Sequence, residues 1–208
     1  KEKRSREALR DLVDHVAGTL GSLLLLITVL GSLASPLLVY LFAPGFWDEP
    51  IRFQLTADML RITFPYLFFI ALVALAGGIL NSYHKFAVPA FTPVILNLCL
   101  IAAAIWLSPL FEIPLMALAW GVAAAGLLQL LLQFPWLLKR KLLPIPRLRR
   151  RHEGVSKILR LMLPAVIGSS VAQINLLLDT VIASFLMVGS VTWLYYSDRM
   201  LEFPLGVL

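Results

Sequence analysis

Five long apolar runs set the fold of this chain. They cover about residues 16–42, 62–80, 90–107, 115–138 and 158–188, and they are separated by short polar or charged connectors. A helix needs roughly 20 apolar residues to cross about 30 Å of hydrocarbon, and the runs reach or approach that length. Because a bilayer offers no water to the backbone, each run must satisfy its own hydrogen bonds as a helix. We therefore predict an all-α, polytopic transmembrane helical bundle.

A sixth helix is expected after the Gly189-Ser190 turn. It has the sequence VTWLYYSDRMLEFPLGVL, and the chain stops while this segment is still apolar. Because the chain also starts at Lys1 without a methionine, we interpret it as a fragment with five complete spans and part of a sixth. A soluble domain is excluded, since 60% of the residues are hydrophobic and only 14% are charged.

The basic residues are distributed unequally between the two sides of the membrane. The N-terminal segment, the connector after the second span and the connector after the fourth span hold 15 of the 18 lysines and arginines. The opposite side holds Arg52 and Arg61, and Arg199 remains inside the sixth helix. The positive-inside rule places the first group in the cytoplasm. These basic loops are expected to meet lipid headgroups, and we predict no nucleic-acid partner.

Four regions follow from this topology. Residues 1–15 form a cytoplasmic basic segment, and residues 16–138 form four transmembrane helices. Residues 139–157 form a basic cytoplasmic loop, and residues 158–208 form two further helices, of which the second is incomplete.

Polar residues line one face of the fifth span. A helical repeat aligns Gly168, Ala172, Asn175, Asp179 and Ala183. This face is expected to line a cavity or a tight helix contact, with Asn175 as a substrate contact. At this depth Asp179 must be protonated, paired or bound to a cation.

The sixth helix carries charge along a similar face, formed by Thr192, Tyr195, Arg199, Glu202 and Gly206. Arg199 and Glu202 are three residues apart and can pair along the helix, which is the structural alternative. As the functional interpretation, a guanidinium in a cavity is a bidentate partner for phosphate, so an anionic headgroup is the expected ligand. Arg199, Glu202 and Thr192 are the candidate substrate-binding residues of this helix.

Two other polar faces favour helix packing over substrate contact, because small residues allow close approach and amides can hydrogen-bond across the contact. They are formed by Gly121, Ala125, Gln129 and Gln133 in the fourth span and by Gly77, Gly78 and Asn81 in the second.

Motifs of the common hydrolases, P-loop proteins and zinc enzymes do not occur in the sequence. A membrane enzyme would have to build its site from Asp179, Arg199 and Glu202, with no nucleophile and base among them. We therefore predict a protein that is not an enzyme and that has no catalytic residues.

Three stretches carry a resemblance to a known family: RITFPYLFFIALVALAGGILNSYHKFAVPAFTPVILN, ALAWGVAAAGLLQLLLQFP and INLLLDTVIASFLMVGSVTWLYYSDRMLEFPLGVL. Together they resemble the MurJ (MviN) family of bacterial lipid II flippases, within the multidrug/oligosaccharidyl-lipid/polysaccharide exporter superfamily. The resemblance implies a fourteen-helix transporter with two lobes. This chain is similar to its third to seventh helices and the opening of the eighth. The resemblance thus assigns residues 16–138 to the N-terminal lobe and residues 158–208 to the first two helices of the C-terminal lobe.

The resemblance also implies roles for single residues. The cationic cavity of the family is lined by its first, second, seventh and eighth helices, and its eighth-helix arginine and glutamate match Arg199 and Glu202. Thr192 stands where a serine is more usual and keeps the hydroxyl. Some members bind sodium through a seventh-helix aspartate and groups from later helices, and Asp179 matches that position. No cofactor other than this sodium ion is expected.

The function implied is translocation of lipid-linked peptidoglycan precursor, lipid II, across the bacterial cytoplasmic (inner) membrane by alternating access. The expected partners are lipid II, membrane lipids and the missing helices of the same protein. One alternative is a cation-coupled exporter of drugs or other polyprenyl-linked saccharides. Another is a membrane scaffold or glycosyltransferase subunit, in which Arg199 and Glu202 would be buried against a neighbouring helix.

Overall fold

The structure, a computed structural model, describes residues 2–139, 142–145, 147, 153–187 and 189–207. For residues 2–9, 153, 172 and 201–207 it describes the backbone alone. Its regular elements are helical, and the described residues contain no strand. The α-helices are α1 (Glu2–Leu33), α2 (Ser35–Phe42), α3 (Pro50–Thr63), α4 (Pro65–Ser82), α5 (Ala87–Ala90), α6 (Thr92–Ala102), α7 (Leu115–Lys139), α8 (Glu153–Ser184) and α9 (Ser190–Val207). Short 3-10 turns lie at Pro44–Phe46 and Ser108–Leu110, and a π turn at Ala103–Leu107.

Five segments of the described chain are long and apolar enough to span a membrane, which confirms the predicted number. They are Arg10–Leu33, Pro50–Ser82, Ala87–Leu110, Leu115–Lys139 and Gly154–Ser184. The chain is therefore a polytopic helical membrane protein. The expected sixth helix is present as α9, and its acidic and basic residues distinguish it from the five apolar spans.

The bounds of the first span differ from the prediction. α1 already begins at Glu2, so the segment before residue 16 is helical too, and the apolar run is interrupted at Ala34. The interruption has a local cause: Pro36 has no N–H to donate to Ser32, four residues earlier. The cytoplasmic location of residues 1–15 stays a prediction.

The predicted polar connector before the second span is mostly helical, which corrects the expectation. α3 begins at Pro50 and leads into α4 with a break at Phe64. Polar pairs one turn apart stabilise it. Arg52 donates to Glu49 at 2.9 Å, and Gln54 donates to Asp58 at 3.0 Å.

At three prolines that interrupt or begin helices, the carbonyl four residues earlier receives no N–H from the proline. A polar side chain contacts each of these three carbonyl oxygens. Arg61 Nε donates to the oxygen of Ser32, which Pro36 cannot reach, at 3.4 Å. The Ser32 hydroxyl lies 3.5 Å from the carbonyl oxygen of Arg61, to which Pro65 has no N–H to donate. The Thr92 hydroxyl donates to the carbonyl oxygen of Pro89 at 2.6 Å. This oxygen would otherwise accept from residue 93, which is a proline without an N–H. In a membrane such exchanges avoid the cost of unpaired backbone groups.

The described helices belong to two compact units. The first contains residues 1–33 and 59–160, where α7 packs against α4 and α6, and α4 packs against α1. Small residues make these contacts close. A side chain at Gly121 would meet Ala103 at 2.8 Å, and one at Gly126 would meet Phe69 at 2.9 Å. Tight packing of small residues is the usual basis of helix association in lipid.

The polar face of the fourth span is a packing surface, as predicted. Its members Gly121, Ala125, Gln129 and Gln133 are all buried. The Gln129 amide donates to the carbonyl oxygen of Thr92 on α6 at 2.8 Å, which is the expected cross-helix bond. Gln133 is buried as well, but its amide has no hydrogen-bond partner within the described residues.

The corresponding prediction for the second span is correct at Gly77 and wrong at Gly78 and Asn81. Gly77 is buried, and a side chain there would meet Pro89 at 3.3 Å. Gly78 is exposed, and a Cβ placed on it would meet no heavy atom of the described residues within 4 Å; Asn81 is exposed too. A 100° step between consecutive residues turns Gly78 away from the contact that Gly77 makes.

The second unit contains residues 34–58 and 161–208. The backbone N–H of Gly45 donates to the Ser184 hydroxyl at 3.1 Å, which connects the first 3-10 turn to the end of α8. A turn at Gly189 lies between α8 and α9, and its φ of +104° is a conformation that few residues other than glycine adopt. Trp193 N–H donates to the Gly189 oxygen at 2.9 Å, and α9 follows. The predicted turn at Gly189-Ser190 is confirmed.

Candidate substrate-binding site

Arg199 on α9 is held by an aromatic residue of its own helix. Its Nε donates to the Tyr195 hydroxyl at 3.2 Å, and the guanidinium carbon lies 5.2 Å from the centre of the Tyr195 ring. The four-residue spacing places both side chains on one face, one turn apart. The ring of Tyr196 packs edge-on against Tyr195, with centroids 5.8 Å apart. The arginine is therefore oriented by its own helix while its side chain is exposed.

Thr192 extends the same face by one turn, and it is exposed. Glu202 continues the face in the other direction by sequence, but its side chain lies outside the described part of the structure. The predicted pairing of Arg199 with Glu202 therefore falls outside the described residues and stays a prediction. The structure does show Arg199 in contact with Tyr195, which the sequence placed on the face without assigning it a role.

Asn175 and Asp179 lie one turn apart on α8, and both are exposed. Within the second unit, the rest of the predicted α8 face is mixed. Gly168 has open space beside it among the described residues, whereas Ala183 is buried. The expected cavity-lining face is thus accessible over the turns that carry the two polar side chains.

The structure does not bring the candidate residues of the two helices together. α8 and α9 make no helix–helix packing contact among the described residues. Two separate groups result. Thr192, Tyr195 and Arg199 form a cationic group on α9, and Asn175 and Asp179 form an acidic group on α8.

The chemistry of the two groups differs. A guanidinium stays charged at all physiological pH values, and its planar N–H groups match the oxygens of a phosphate. The ring of Tyr195 supports the cation without neutralising it. The carboxylate and amide oxygens of Asp179 and Asn175 are ligands for a hard cation. The described residues contain no group of three His, Cys, Asp or Glu side chains placed to hold a metal ion.

The sequence of the chain matches a known protein family over its whole length. The family model described as "Lipid II flippase MurJ" matches residues 1–208. The chain belongs to the MurJ family.

Individual relatives support the same assignment. A protein of Haemophilus influenzae named "Probable lipid II flippase MurJ" is 48% identical over 205 residues, which is 95% of this chain and 40% of the relative. A Vibrio cholerae protein of the same name is 49% identical over 205 residues, covering 95% and 39%. The "Lipid II flippase MurJ" of Burkholderia cenocepacia is 41% identical over 212 residues, covering 100% and 41%. The chain thus spans about two-fifths of the length of these MurJ relatives.

Proposed function

We propose that the intact protein containing this chain translocates lipid II across the bacterial cytoplasmic membrane. The observation that carries this proposal is the match of all 208 residues to the family model of lipid II flippases. The oriented, exposed Arg199 supports it, because lipid II presents a pyrophosphate between its polyprenyl chain and its sugars. An intramembrane arginine is a functional residue by default.

In this proposal Arg199 binds the pyrophosphate and Tyr195 keeps the guanidinium oriented. Glu202 orients or releases the headgroup, while Thr192 and Asn175 contribute hydrogen bonds to it. The transport step makes and breaks no covalent bond, so the protein is not an enzyme. The other contributors are the remaining helices of the same protein, and the two lobes alternate access around the substrate.

The proposed location is the bacterial inner membrane, with the first residues in the cytoplasm. The distribution of basic residues supports this orientation. The sequence 139–151 contains seven lysines and arginines and no acidic residue. Such a segment is retained on the cytoplasmic side and meets anionic headgroups there.

Binding measurements with the full-length protein distinguish this function from drug export. We expect the purified protein to bind lipid II and to release it when an excess of undecaprenyl pyrophosphate is added. A lipophilic cation should compete weakly, because it has no phosphate oxygens for the Arg199 guanidinium to bind. Tight binding of the cation together with no binding of lipid II would contradict the proposal and favour the exporter alternative.

We also propose that Asp179 helps to bind a sodium ion. Its carboxylate and the Asn175 carbonyl would supply two oxygen ligands one turn apart, and the bound ion would offset the cost of a carboxylate within a span. Other ligands would come from parts of the protein outside this chain. No cofactor beyond this ion is proposed.

The sodium proposal predicts a change in ion-dependent stability. Sodium should raise the melting temperature of the full-length protein in detergent more than an equal concentration of choline does, because a ligand of the native state stabilises it. Asp179→Asn should remove most of this difference. Asp48→Asn, at an exposed acid in a connector, is the matched control and should preserve it. An unchanged sodium effect in Asp179→Asn would refute the assignment.

A further inference from the structure

The connector between α7 and α8 is attached to the first helix of the chain. The backbone N–H of Ile145 donates to a carboxylate oxygen of Asp14 at 2.8 Å, and the backbone N–H of Arg147 donates to the main-chain oxygen of Asp14 at 3.1 Å. Asp14 is only 2% exposed. A buried carboxylate on a helix that faces the membrane is costly, and here the connector backbone supplies its hydrogen bond.

The charged contacts at this place are weaker than the backbone contacts. The Arg147 guanidinium lies 3.8 Å from the Asp14 carboxylate and 3.7 Å from that of Asp11. The arginine side chain is 58% exposed, so water screens both pairs. The hydrogen bonds of the connector backbone to Asp14 therefore carry most of the attachment.

Gly18, one turn after Asp14, lies at the same contact and leaves space for the connector backbone. A Cβ at this position would lie 2.7 Å from the backbone nitrogen of Arg147, which no real side chain tolerates. Gly21 on the next turn offers a comparison, because a Cβ there would meet no heavy atom of the described residues within 4 Å. The connector backbone thus lies directly on α1 at a position that only glycine accommodates.

The same connector is also fixed at its α7 end. The N–H of Leu142 donates to the Leu137 oxygen at 2.9 Å, and Leu142 and Leu143 pack against the core formed by Ala76, Leu80 and Leu137. The described residues from 142 to 147 are therefore held at both ends within the first unit. We call Asp14, Gly18, Ile145 and Arg147 the linker anchor.

We propose that the linker anchor fixes at Arg147, rather than at the end of α7, the point from which the chain continues to α8, and thereby limits the movement of α8. Measured from Lys139, the fourteen-residue step to Glu153 could extend to about 50 Å, whereas the six-residue step from Arg147 reaches only about 20 Å. The anchor itself does not depend on the substrate. Its consequence for transport, a limit on the motion between alternating states, rests on the proposed function.

Hydrogen exchange of the full-length protein tests the anchor without substrate or transport. Asp14→Ala should accelerate exchange of the Ile145 amide by about tenfold or more, because this N–H loses its carboxylate acceptor. The Arg147 amide keeps its main-chain acceptor and should be accelerated less, through loosening of the connector. Asp14→Asn keeps an acceptor oxygen and should have a smaller effect. Asp11→Ala removes the contacts of the Asp11 carboxylate with Arg147 and His15 but no acceptor of a connector N–H that the structure shows, so connector exchange should stay near the wild-type rate.

A second pair of variants controls for a general loss of structure. Gly18→Val should push the connector off α1 and accelerate the same amides, whereas Gly21→Val should not. Exchange in α4 and α7 should stay at wild-type rates in all variants that support the anchor. Wild-type connector exchange in folded Asp14→Ala or Gly18→Val would overturn the proposal, and so would equal acceleration by Gly18→Val and Gly21→Val.

Discussion

Arg199→Ala should reduce lipid II binding by the full-length protein by about tenfold to 100-fold and abolish most of its transport. The guanidinium supplies charge-assisted hydrogen bonds to phosphate, each worth about 1.5–3 kcal/mol. Arg199→Lys should restore only part of the affinity, because an ammonium keeps the charge without the planar pair of donors. Tyr195→Phe should have a smaller effect, since it removes the 3.2 Å hydrogen bond and leaves the ring in place. Equilibrium binding of labelled lipid II measures all three.

Arg160→Ala is the matched control for this series. Arg160 is an exposed arginine on α8 that lies outside the polar face of that helix, so its loss should leave lipid II binding unchanged. Wild-type binding and transport by Arg199→Ala, at normal expression, would show that the role assigned to Arg199 is wrong. If Arg160→Ala and Arg199→Ala lost equal lipid II affinity, the total positive charge and not the position of Arg199 would determine binding.

Gly121→Leu should destabilise the full-length protein by about 1–3 kcal/mol or more, or prevent its folding. A Cβ at Gly121 would already lie 2.8 Å from the Cβ of Ala103 and 3.3 Å from the carbonyl oxygen of Cys99. A leucine must therefore push α7 away from α6, and overpacking of a close contact has a cost of this size. The melting temperature in detergent, or the yield of folded protein, measures the effect.

Gly78→Leu is the matched control for the packing prediction. Gly78 also lies within a transmembrane helix, but a Cβ there would meet no heavy atom of the described residues within 4 Å. The substitution should leave the melting temperature near that of the wild type. If Gly78→Leu destabilises the protein as much as Gly121→Leu, the close contact of α7 with α6 does not explain the effect.

The spans and the packing face of α7 follow from patterns that are local in sequence. The length of an apolar run determines whether a helix can cross the membrane, and steps of four residues determine one face. The buried positions of Gln129 and Gln133 could therefore be predicted from α7 alone. The amide contact of Gln129 could be anticipated only in kind, because its partner Thr92 depends on how α6 packs against α7.

The helical state of α3 and the different burial of Gly77 and Gly78 do not follow from amino-acid composition. α3 is rich in polar residues and resembles a connector, yet pairs such as Gln54 with Asp58 stabilise it as a helix. Gly77 and Gly78 are identical neighbouring residues in one helix. Their difference in burial depends on the position of α5, whose Pro89 lies against Gly77 and not against Gly78.

The candidate site was predictable within each helix and not between helices. The face of Thr192, Tyr195 and Arg199 follows from the helical repeat, whereas the placement of Asp179 relative to α9 does not. The linker anchor had no sequence signal of its own. Asp14 and Ile145 are 131 residues apart, and a hydrogen bond between them depends on the tertiary fold.

Transfer of lipid II between the leaflets of reconstituted vesicles tests the central claim most directly. The full-length protein is placed in vesicles with fluorescent lipid II, and the fraction accessible to an external quencher is followed over time. We predict that the protein makes the inner-leaflet lipid II accessible, whereas Arg199→Ala vesicles resemble protein-free ones. Accessibility that stays at the protein-free level with correctly folded wild-type protein would contradict the account.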